Sequence, residues 1–585
     1  MIMKNHTYNK PDANAESNYI SEVMKRCDGF KYDEDAKLIH YTELSEKMPN
    51  NTYTLEEYSK ASEGEVPICI MRDEEGELQI ITQEPSHALI IGATGSGKTQ
   101  SVSMPFAELA ARSDAKPSMV ITDPKRELYP TTAPVFRDKG YAIKVLDFSD
   151  FENSDRWNPF TPIFRAYQKK VMVKNSVTVV EEDGKLYNEY NGKIYKSQQE
   201  LDFAINADES FYSTEVDAKI DSIANLICDA KDSEKDEWHE GAKSIFKGLC
   251  YAMLEDSVPN ERGWPLITEE TYSLSTLLKI FDSFTGAGDE CDNGYFNDRD
   301  HSTSKAYQMV SNTLLTYAKS TSSGYISVFA SYMARYRDAA IRQVTCGNSF
   351  SFADFDDGNK PTVIYIIFKD ETSTYDTLIG LFLSELYRAL VDMIRKKGEN
   401  RKAPFYFLLD EFGNLPAFPD FDRVTSLGRA RNIWFWVILQ SYAQLTEVYE
   451  NKATTIKNNL TTHIFLGTND LETKESFSKE CGERTIISSN SILRGSERRI
   501  TNYEKATVRL IPISRLSNLE ASECIVTGMN KNTLLSRLER HYSCPEFNEK
   551  RKPYVHIASI TPGDPKYNYS MKKTKKRRRF DFDFD

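Results

Sequence analysis

No apolar run in this 585-residue chain approaches the ~20 residues needed to cross a bilayer as a helix. The most apolar stretches, Val363–Phe368, Phe405–Leu409 and Ile433–Leu439, have the length of strands. The first fifty residues mix charged and polar side chains and hold no apolar core of the kind a signal peptide needs. The sequence therefore predicts a soluble chain. Cysteine is sparse and scattered over nine positions, with no CxxC pair and no His-rich partner. This excludes a disulfide framework and a zinc site, and predicts reduced thiols in a cytosolic chain. Positive charge is not in excess: the net charge of −13 excludes a protein that coats nucleic acid over its whole surface. Any DNA contact has to use a localised basic strip. No repeat recurs at solenoid or propeller periods. What remains is ordinary globular composition, 40% hydrophobic and 28% charged, in a chain long enough for two or three compact units.

Residues 1–80 read as an irregular leader. Short apolar runs bounded by turn residues or charges then follow: His87–Gly92, Ser118–Asp123, Tyr141–Phe148, Thr362–Phe368, Phe405–Glu411, Ile433–Gln440, His463–Gly467 and Glu523–Gly528. Most are continuously apolar, as strands buried on both faces of a parallel sheet must be. Helical patterns such as Leu378–Lys397 separate several of them, which predicts an α/β fold with a mainly parallel central sheet. An insertion over 165–345 breaks the alternation. It opens with a hairpin over Met172–Tyr195, with turn signals at Asp183-Gly184 and Asn191-Gly192. The helical stretches Val216–Asp229, His239–Glu255 and Ser304–Ala318 follow, interrupted by the polar loop Gly286–Asp300. The expected organisation is thus a discontinuous α/β domain over 81–164 and 346–545, an inserted mostly helical domain over 165–345, and an extension over 546–585. Seven cations in Lys572–Arg579, followed by three Phe-Asp pairs, predict a disordered tail. Its cations suit DNA, anionic lipid or an acidic partner.

The chemistry concentrates in a few places. Gly92-Ala93-Thr94-Gly95-Ser96-Gly97-Lys98-Thr99 satisfies G-x-x-x-x-G-K-[ST] between an apolar strand and a helix. Its glycines let successive N–H groups turn inward as an anion nest, and the helix adds its positive end. Lys98 would bridge the β- and γ-phosphates of ATP, and Thr99 would offer its hydroxyl to Mg²⁺. Phe405–Leu409 ends in Asp410-Glu411, the pattern of a Walker B strand: Asp410 would hold Mg²⁺ through water, and Glu411 would deprotonate the attacking water. Two adjacent carboxylates favour hydrolysis over phosphoryl transfer to a small substrate, which needs a site closed to water. Gln440 ends the next strand, within reach of the γ-phosphate or the water. Arg429 and Arg431 precede that strand, and one of them suits an arginine finger for a neighbouring subunit. Tyr325 and Trp238, in the insertion, are aromatics that could stack on bases or belong to the core.

Five strings in order, Thr94–Thr99, Asp123-Pro124-Lys125-Arg126-Glu127-Leu128, Trp157-Asn158-Pro159-Phe160, Leu409-Asp410-Glu411-Phe412-Gly413-Asn414-Leu415-Pro416 and Leu439-Gln440-Ser441-Tyr442-Ala443-Gln444-Leu445, resemble the type IV coupling proteins of bacterial conjugation, the TraG/TraD-like ATPases. The resemblance covers roughly residues 85 to 545. It implies a RecA-like P-loop domain with an inserted all-α domain, and a homo-hexameric ring. The ring would recruit a relaxase–DNA complex and feed single-stranded DNA to a type IV secretion channel. It also implies nucleotide roles for Lys98, Thr99, Asp410, Glu411 and Gln440, with Arg429 the best match to the finger and Lys125 and Glu127 beside the site. Two departures stand out. Coupling proteins usually begin with two transmembrane helices, so this chain is expected at the cytoplasmic face of the bacterial membrane through a separate membrane-anchoring protein. Arg126 stands where the string more often has Gly. A duplex DNA pump of FtsK or HerA type, and a nucleotide-binding scaffold with negligible turnover, are the competing readings.

Overall fold

The structure, a computed structural model, describes residues 38–584 apart from 44–47, 61–64, 174–175, 183–184, 229–236, 260–264, 286–293, 316–318, 370–372, 495–496, 530–531, 548–550, 558–568 and 574–579. The strands of its body are, in chain order, β1 (Leu38–His40), β2 (Thr52–Thr54), β3 (Val66–Arg72), β4 (Leu78–Gln83), β5 (Ala88–Ile91), β6 (Ser118–Asp123), β7 (Ala142–Asp147), β8 (Thr362–Ile367), β9 (Phe405–Leu409), β10 (Ile433–Leu439), β11 (Thr462–Phe465), β12 (Glu523–Met529) and β13 (Asn532–Arg537). Ten of them form one sheet in the order β1-β13-β12-β11-β5-β10-β9-β6-β8-β7. β12 runs antiparallel to both its neighbours, and the other pairings are parallel.

Every residue of β5, β8, β9 and β10 is buried. Successive side chains of a strand point to opposite faces, so a sheet covered on both sides needs apolar residues at every position. In β9, Tyr406 and Leu408 join one core, while Phe405, Phe407 and Leu409 join the other. The first core includes α1 (Met104–Arg112), whose Phe106 stacks on Trp436 at 3.9 Å and meets Tyr406 edge-on at 5.2 Å. The second includes the long helix Asp376–Lys397 and the buried side chains of the insertion, for example Phe246 and Tyr272.

The insertion carries a three-stranded antiparallel meander, Thr178–Glu182, Lys185–Tyr190 and Lys193–Tyr195, rather than a single hairpin. Asn191 and Gly192 both take positive φ, +51° and +72°, as a two-residue turn between strands of this twist demands. The Asp183-Gly184 turn lies outside the described residues. The helix expected from Val216 begins at Gln198, where Ser197 caps it by accepting from Glu200 N; its first turns are polar and hide the periodicity. Tyr325 is buried against Trp238 and donates to Glu237, so it belongs to the core.

Two sequence expectations are corrected, and one element is new. Residues 38–80, read as part of an irregular leader, contribute β1, which closes one edge of the main sheet, and all but the last three residues of the small antiparallel sheet β2-β4-β3. β3 holds Pro67 and ends in Arg72, and β2 is only three residues long, so neither shows a strand period; burial of β3 against α1 and β13, and pairing of β2 with β4, select the extended state. Of the chain end, read as disordered, Tyr569–Lys573 pairs with Phe580–Phe584 in an antiparallel ribbon, while 574–579, with most of its cations, lie outside the described residues. A long ribbon, Glu483–Arg494 with Glu497–Arg509, was not anticipated at all, because its pairing is wholly with itself and its sequence is polar.

The turn after β6 explains the departure at Arg126. Its φ is +54°, in the region that favours glycine. Arg126 is held there by ion pairs to Asp147 at 2.9 Å and Asp150 at 3.6 Å. A non-glycine residue in this conformation costs about 1–2 kcal/mol, and an exposed ion pair returns about 0.2–1 kcal/mol. Arg126→Gly is therefore expected to stay within about 1 kcal/mol of the parent. Arg126→Ala, which keeps the strain and loses the pairs, should be about 1 kcal/mol less stable than Arg126→Gly. Urea denaturation of the two variants decides it, and equal midpoints would contradict the account.

Candidate nucleotide site

The 92–99 loop leaves β5 between the ends of its two neighbours. Gly92 N donates to Leu439 O of β10 at 3.0 Å, and Ala93 N to Gly467 O, just past β11, at 2.7 Å. Gly95 and Gly97 take φ of +81° and +91°, which β-carbon-bearing residues rarely adopt, so the turn can curl its N–H groups inward. The Lys98 ammonium donates to Gly92 O at 2.6 Å and Ala93 O at 3.3 Å. Burial lowers its pKa, while Glu411 and Asp410 oppose that shift. Ser96 Oγ and Gln100 Oε1 are buried and, among the described residues, have no hydrogen-bond partner. The Ser96 hydroxyl, a donor without an acceptor beside an inward-facing nest, fits an anionic ligand such as a polyphosphate.

β9 and β10 are parallel neighbours in register, so Asp410, Glu411 and Gln440 emerge at the same edge as the loop. Thr99 Oγ1 donates to Asp410 Oδ2 at 3.3 Å, Glu411 N to Asp410 Oδ1 at 3.0 Å, and Thr122 Oγ1 of β6 to Asp410 O at 3.0 Å. A hydroxyl and a carboxylate this close form the oxygen donor set of a hard divalent cation. Burial, then the neighbouring Glu411 carboxylate, push Asp410 up to about 6. Glu411 has φ +51°, a strained setting for a side chain. Gln440 Nε2 donates to Glu411 Oε2 at 3.2 Å, and Lys125 Nζ lies 3.8 Å from Glu411 Oε1. Gln440 is fixed in turn, its N–H donating to Gln444 Oε1 at 2.7 Å and its carbonyl accepting from Thr468 Oγ1 at 3.0 Å. Gly413 is needed because a β-carbon there would lie 2.6 Å from Gln444 Cδ.

The cleft over the loop has a volume of about 270 Å³ and is lined by Thr94, Lys98, Gln100, Lys125, Glu127, Glu411 and Arg540 among others. Buried Asp123 sets the Lys125–Glu127 turn by accepting from Glu127 N at 2.9 Å and Tyr129 N at 2.7 Å. Arg429 is not brought to this cleft. It is exposed and precedes the N-terminal end of β10, while Gln440 follows its C-terminal end. Seven residues of strand put about 20 Å between them. Arg431 is engaged elsewhere, donating to Tyr387 Oη at 2.7 Å. Arg540, Thr122 and Gln444 were missed in the sequence; only the Gln444 string carried any signal.

With this geometry in hand, the comparisons are decisive on family. The family profile described as type IV secretory system conjugative DNA transfer matches residues 46–563. The chain belongs to this family. Its span includes β2 to β13, so β2, β3 and β4 are part of the family's body. Relatives by sequence include the conjugal transfer protein TraG of Rhizobium radiobacter, 28% identical over 145 residues, which are 24% of this chain and 21% of that one. An uncharacterized protein of Bacillus anthracis is 29% identical over 123 residues, 20% of this chain and 45% of that one. The chain thus spans less than half the length of the curated relatives it matches. Among solved structures, the bacterial conjugative coupling protein TrwBΔN70 in its unbound form aligns with a TM-score of 0.55 at 15% identity, covering 87% of this chain and 95% of that one. TrwB in complex with a non-hydrolysable ATP analogue aligns with a TM-score of 0.52 at 16% identity, covering 81% and 88%. The shared fold is the RecA-like P-loop fold. No helix among the described residues is long and apolar enough to cross a membrane.

Asp410 supplies a test of the site's electrostatics. Its carboxyl is pushed up to about 6, against an unfolded value near 3.9. The folded state holds the extra proton between these values, so stability falls as pH rises through that window and stays reduced above it. Without nucleotide or divalent cation, Asp410→Asn should be more stable than the parent at pH 7.5, by up to about 3 kcal/mol. The gap should close toward pH 4. Denaturation in a chelating buffer at both pH values measures it, and a gap independent of pH would refute the assignment.

Proposed function

We propose that this chain is an ATP-hydrolysing coupling protein that recruits a relaxase–DNA complex and delivers it to a type IV secretion channel. The observation that carries the catalytic part is the convergence of Lys98, Thr99, Asp410, Glu411 and Gln440 on one edge of the sheet. The loop N–H groups and the helix end receive the phosphates of ATP, and Lys98 turns from Gly92 O to the β- and γ-oxygens. Thr99 and Asp410 would hold Mg²⁺, which would neutralise charge on the phosphates. Glu411 takes the proton of the attacking water. Gln440 and Lys125, on the two oxygens of that carboxylate, fix its orientation. Arg429 is too far from its own cleft to act there, which suits a finger offered to the next subunit of a homo-hexameric ring. In such a ring the net charge of −13 stays outside and single-stranded DNA meets only the pore. The site of action is the cytoplasmic face of the bacterial membrane, reached through a separate membrane-anchoring protein.

ATP hydrolysis by the purified chain, alone and with single-stranded or duplex DNA, tests this reading. Single-stranded DNA should stimulate turnover. Lys98→Ala and Glu411→Gln should each lower kcat by about 100-fold or more, with Glu411→Gln still binding ATP. Stimulation by duplex DNA alone would point to a duplex pump, and no turnover with nucleotide bound would leave a scaffold.

The finger has its own test. Arg429→Ala and Glu411→Gln chains should each be inactive alone. Mixed in equal amounts, they place an intact cleft beside an intact finger at about a quarter of ring interfaces, restoring that share of activity. A mixture as inactive as its components would remove Arg429 from the role.

A further inference from the structure

One wall of the nucleotide cleft comes from a part of the chain that no motif marks. Arg540 follows β13 and lines the cleft beside Thr94, Gly97, Thr99 and Gln100. β13 is one of the strands parallel in direction to β5, so its exit lies at the edge where the phosphate loop leaves β5. The turn that follows, His541–Ser543, packs against Thr99–Ser103, the first turn of the helix leaving the loop.

That turn is anchored. His541 is buried and its ring nitrogen meets Glu108 Oε2 at 2.9 Å, 433 residues away in sequence. Glu108 lies on α1, the continuation of the phosphate-loop helix, and its other oxygen is held by Arg112 at 2.7 Å and Arg551 at 3.3 Å. The His541 ring also stacks on Phe547 with centroids 5.2 Å apart. Arg540 is thus set in place by its neighbour's attachment to the helix that carries Lys98 and Thr99. Its own side chain is kept for something else. Nη1 donates to Tyr542 Oη at 2.8 Å, and among the described residues no carboxylate pairs with it. The other cations of this edge are matched, Lys125 by Glu411 and Arg126 by Asp147. A guanidinium that no carboxylate pairs with among the described residues, lining the cleft over an anion nest, lacks only the anion.

We propose that Arg540 is a nucleotide-binding residue whose guanidinium, aligned by Tyr542, takes the α- and β-phosphates of a nucleoside di- or triphosphate on the 92–99 loop. The side of approach decides which phosphates. Glu411 and Lys125 mark the end where water attacks the γ-phosphate, whereas Arg540 stands by Thr99 and Gln100, where the helix begins and the loop cradles the inner phosphates. The inference rests on the reading of the cleft as an ATP site. It makes the last strand of the sheet part of that site, so the fold of the C-terminal edge and nucleotide occupancy are coupled.

The test is calorimetric titration of the full chain, in Mg²⁺, with ADP and with a non-hydrolysable ATP analogue. The parent, Lys98→Ala, Arg540→Ala and Arg540→Lys are compared, each with its melting temperature before ligand is added. Arg540→Ala should weaken both ligands alike, by tenfold or more, at an unchanged nucleotide-free melting temperature, and Arg540→Lys should recover part of the loss. Parental affinity in Arg540→Ala, with binding lost in Lys98→Ala, would overturn this inference and leave the ATP site standing. Loss confined to the triphosphate analogue would place Arg540 at the γ-phosphate and overturn the assignment. A lowered nucleotide-free melting temperature with no recovery in Arg540→Lys would make it structural. A parent that binds neither ligand would overturn both readings.

Discussion

Burial of the Asp410 carboxylate at the end of the central strand is the constraint around which the site is organised. A carboxylate taken out of water must be supplied with hydrogen bonds and opposite charge, or else take up a proton. Here Thr99, Glu411 N and the nearby Lys98 meet that need only in part, and Thr122 holds the adjoining carbonyl. These groups come from β6, β9 and the loop after β5. They meet because parallel strands in register deliver their C-terminal ends to one line. The same burial leaves Asp410 short of full compensation, which is the electrostatic demand a bound cation would satisfy.

Around that centre the chain uses each neighbour to fix the next. Gln440 holds one oxygen of Glu411, Gln444 holds Gln440, and Gly413 leaves Gln444 the room to do so. Glu411 accepts a left-handed backbone to point its carboxylate at the cleft, a strain tolerated where the surrounding contacts over-determine it. On the far side, buried Glu108 ties the phosphate-loop helix to the turn bearing Arg540. The two ends of the cleft are therefore braced through different layers, one across the sheet edge and one through the helix on its face.

The inserted segment shares a core with the face of the sheet that carries Phe407, Phe435 and Leu409. Apolar contact on that scale makes the insertion and the nucleotide-binding sheet one packed body on that face. Leu409 and Leu439, both in that core, adjoin Asp410 and Gln440 in sequence.

Contiguous residues made much of this legible before any coordinates. Glycines at positive φ, a lysine and a threonine at the start of a helix encode a phosphate loop locally. Continuously apolar strands encode a sheet covered on both faces, because each residue's environment there depends on its own strand. The Asp410-Glu411 pair and Gln440 were readable for the same reason, as polar ends of apolar strands. What lacked a local period stayed hidden: β2 and β3, too short or too mixed, and the polar ribbon over 483–509. Only the tertiary structure decided that Lys125 meets Glu411, that Arg429 stands about 20 Å from its own cleft, and that Arg540 lines it. Those facts follow from strand order and direction. Strand order brings together residues hundreds of positions apart, and no spacing along the chain records it.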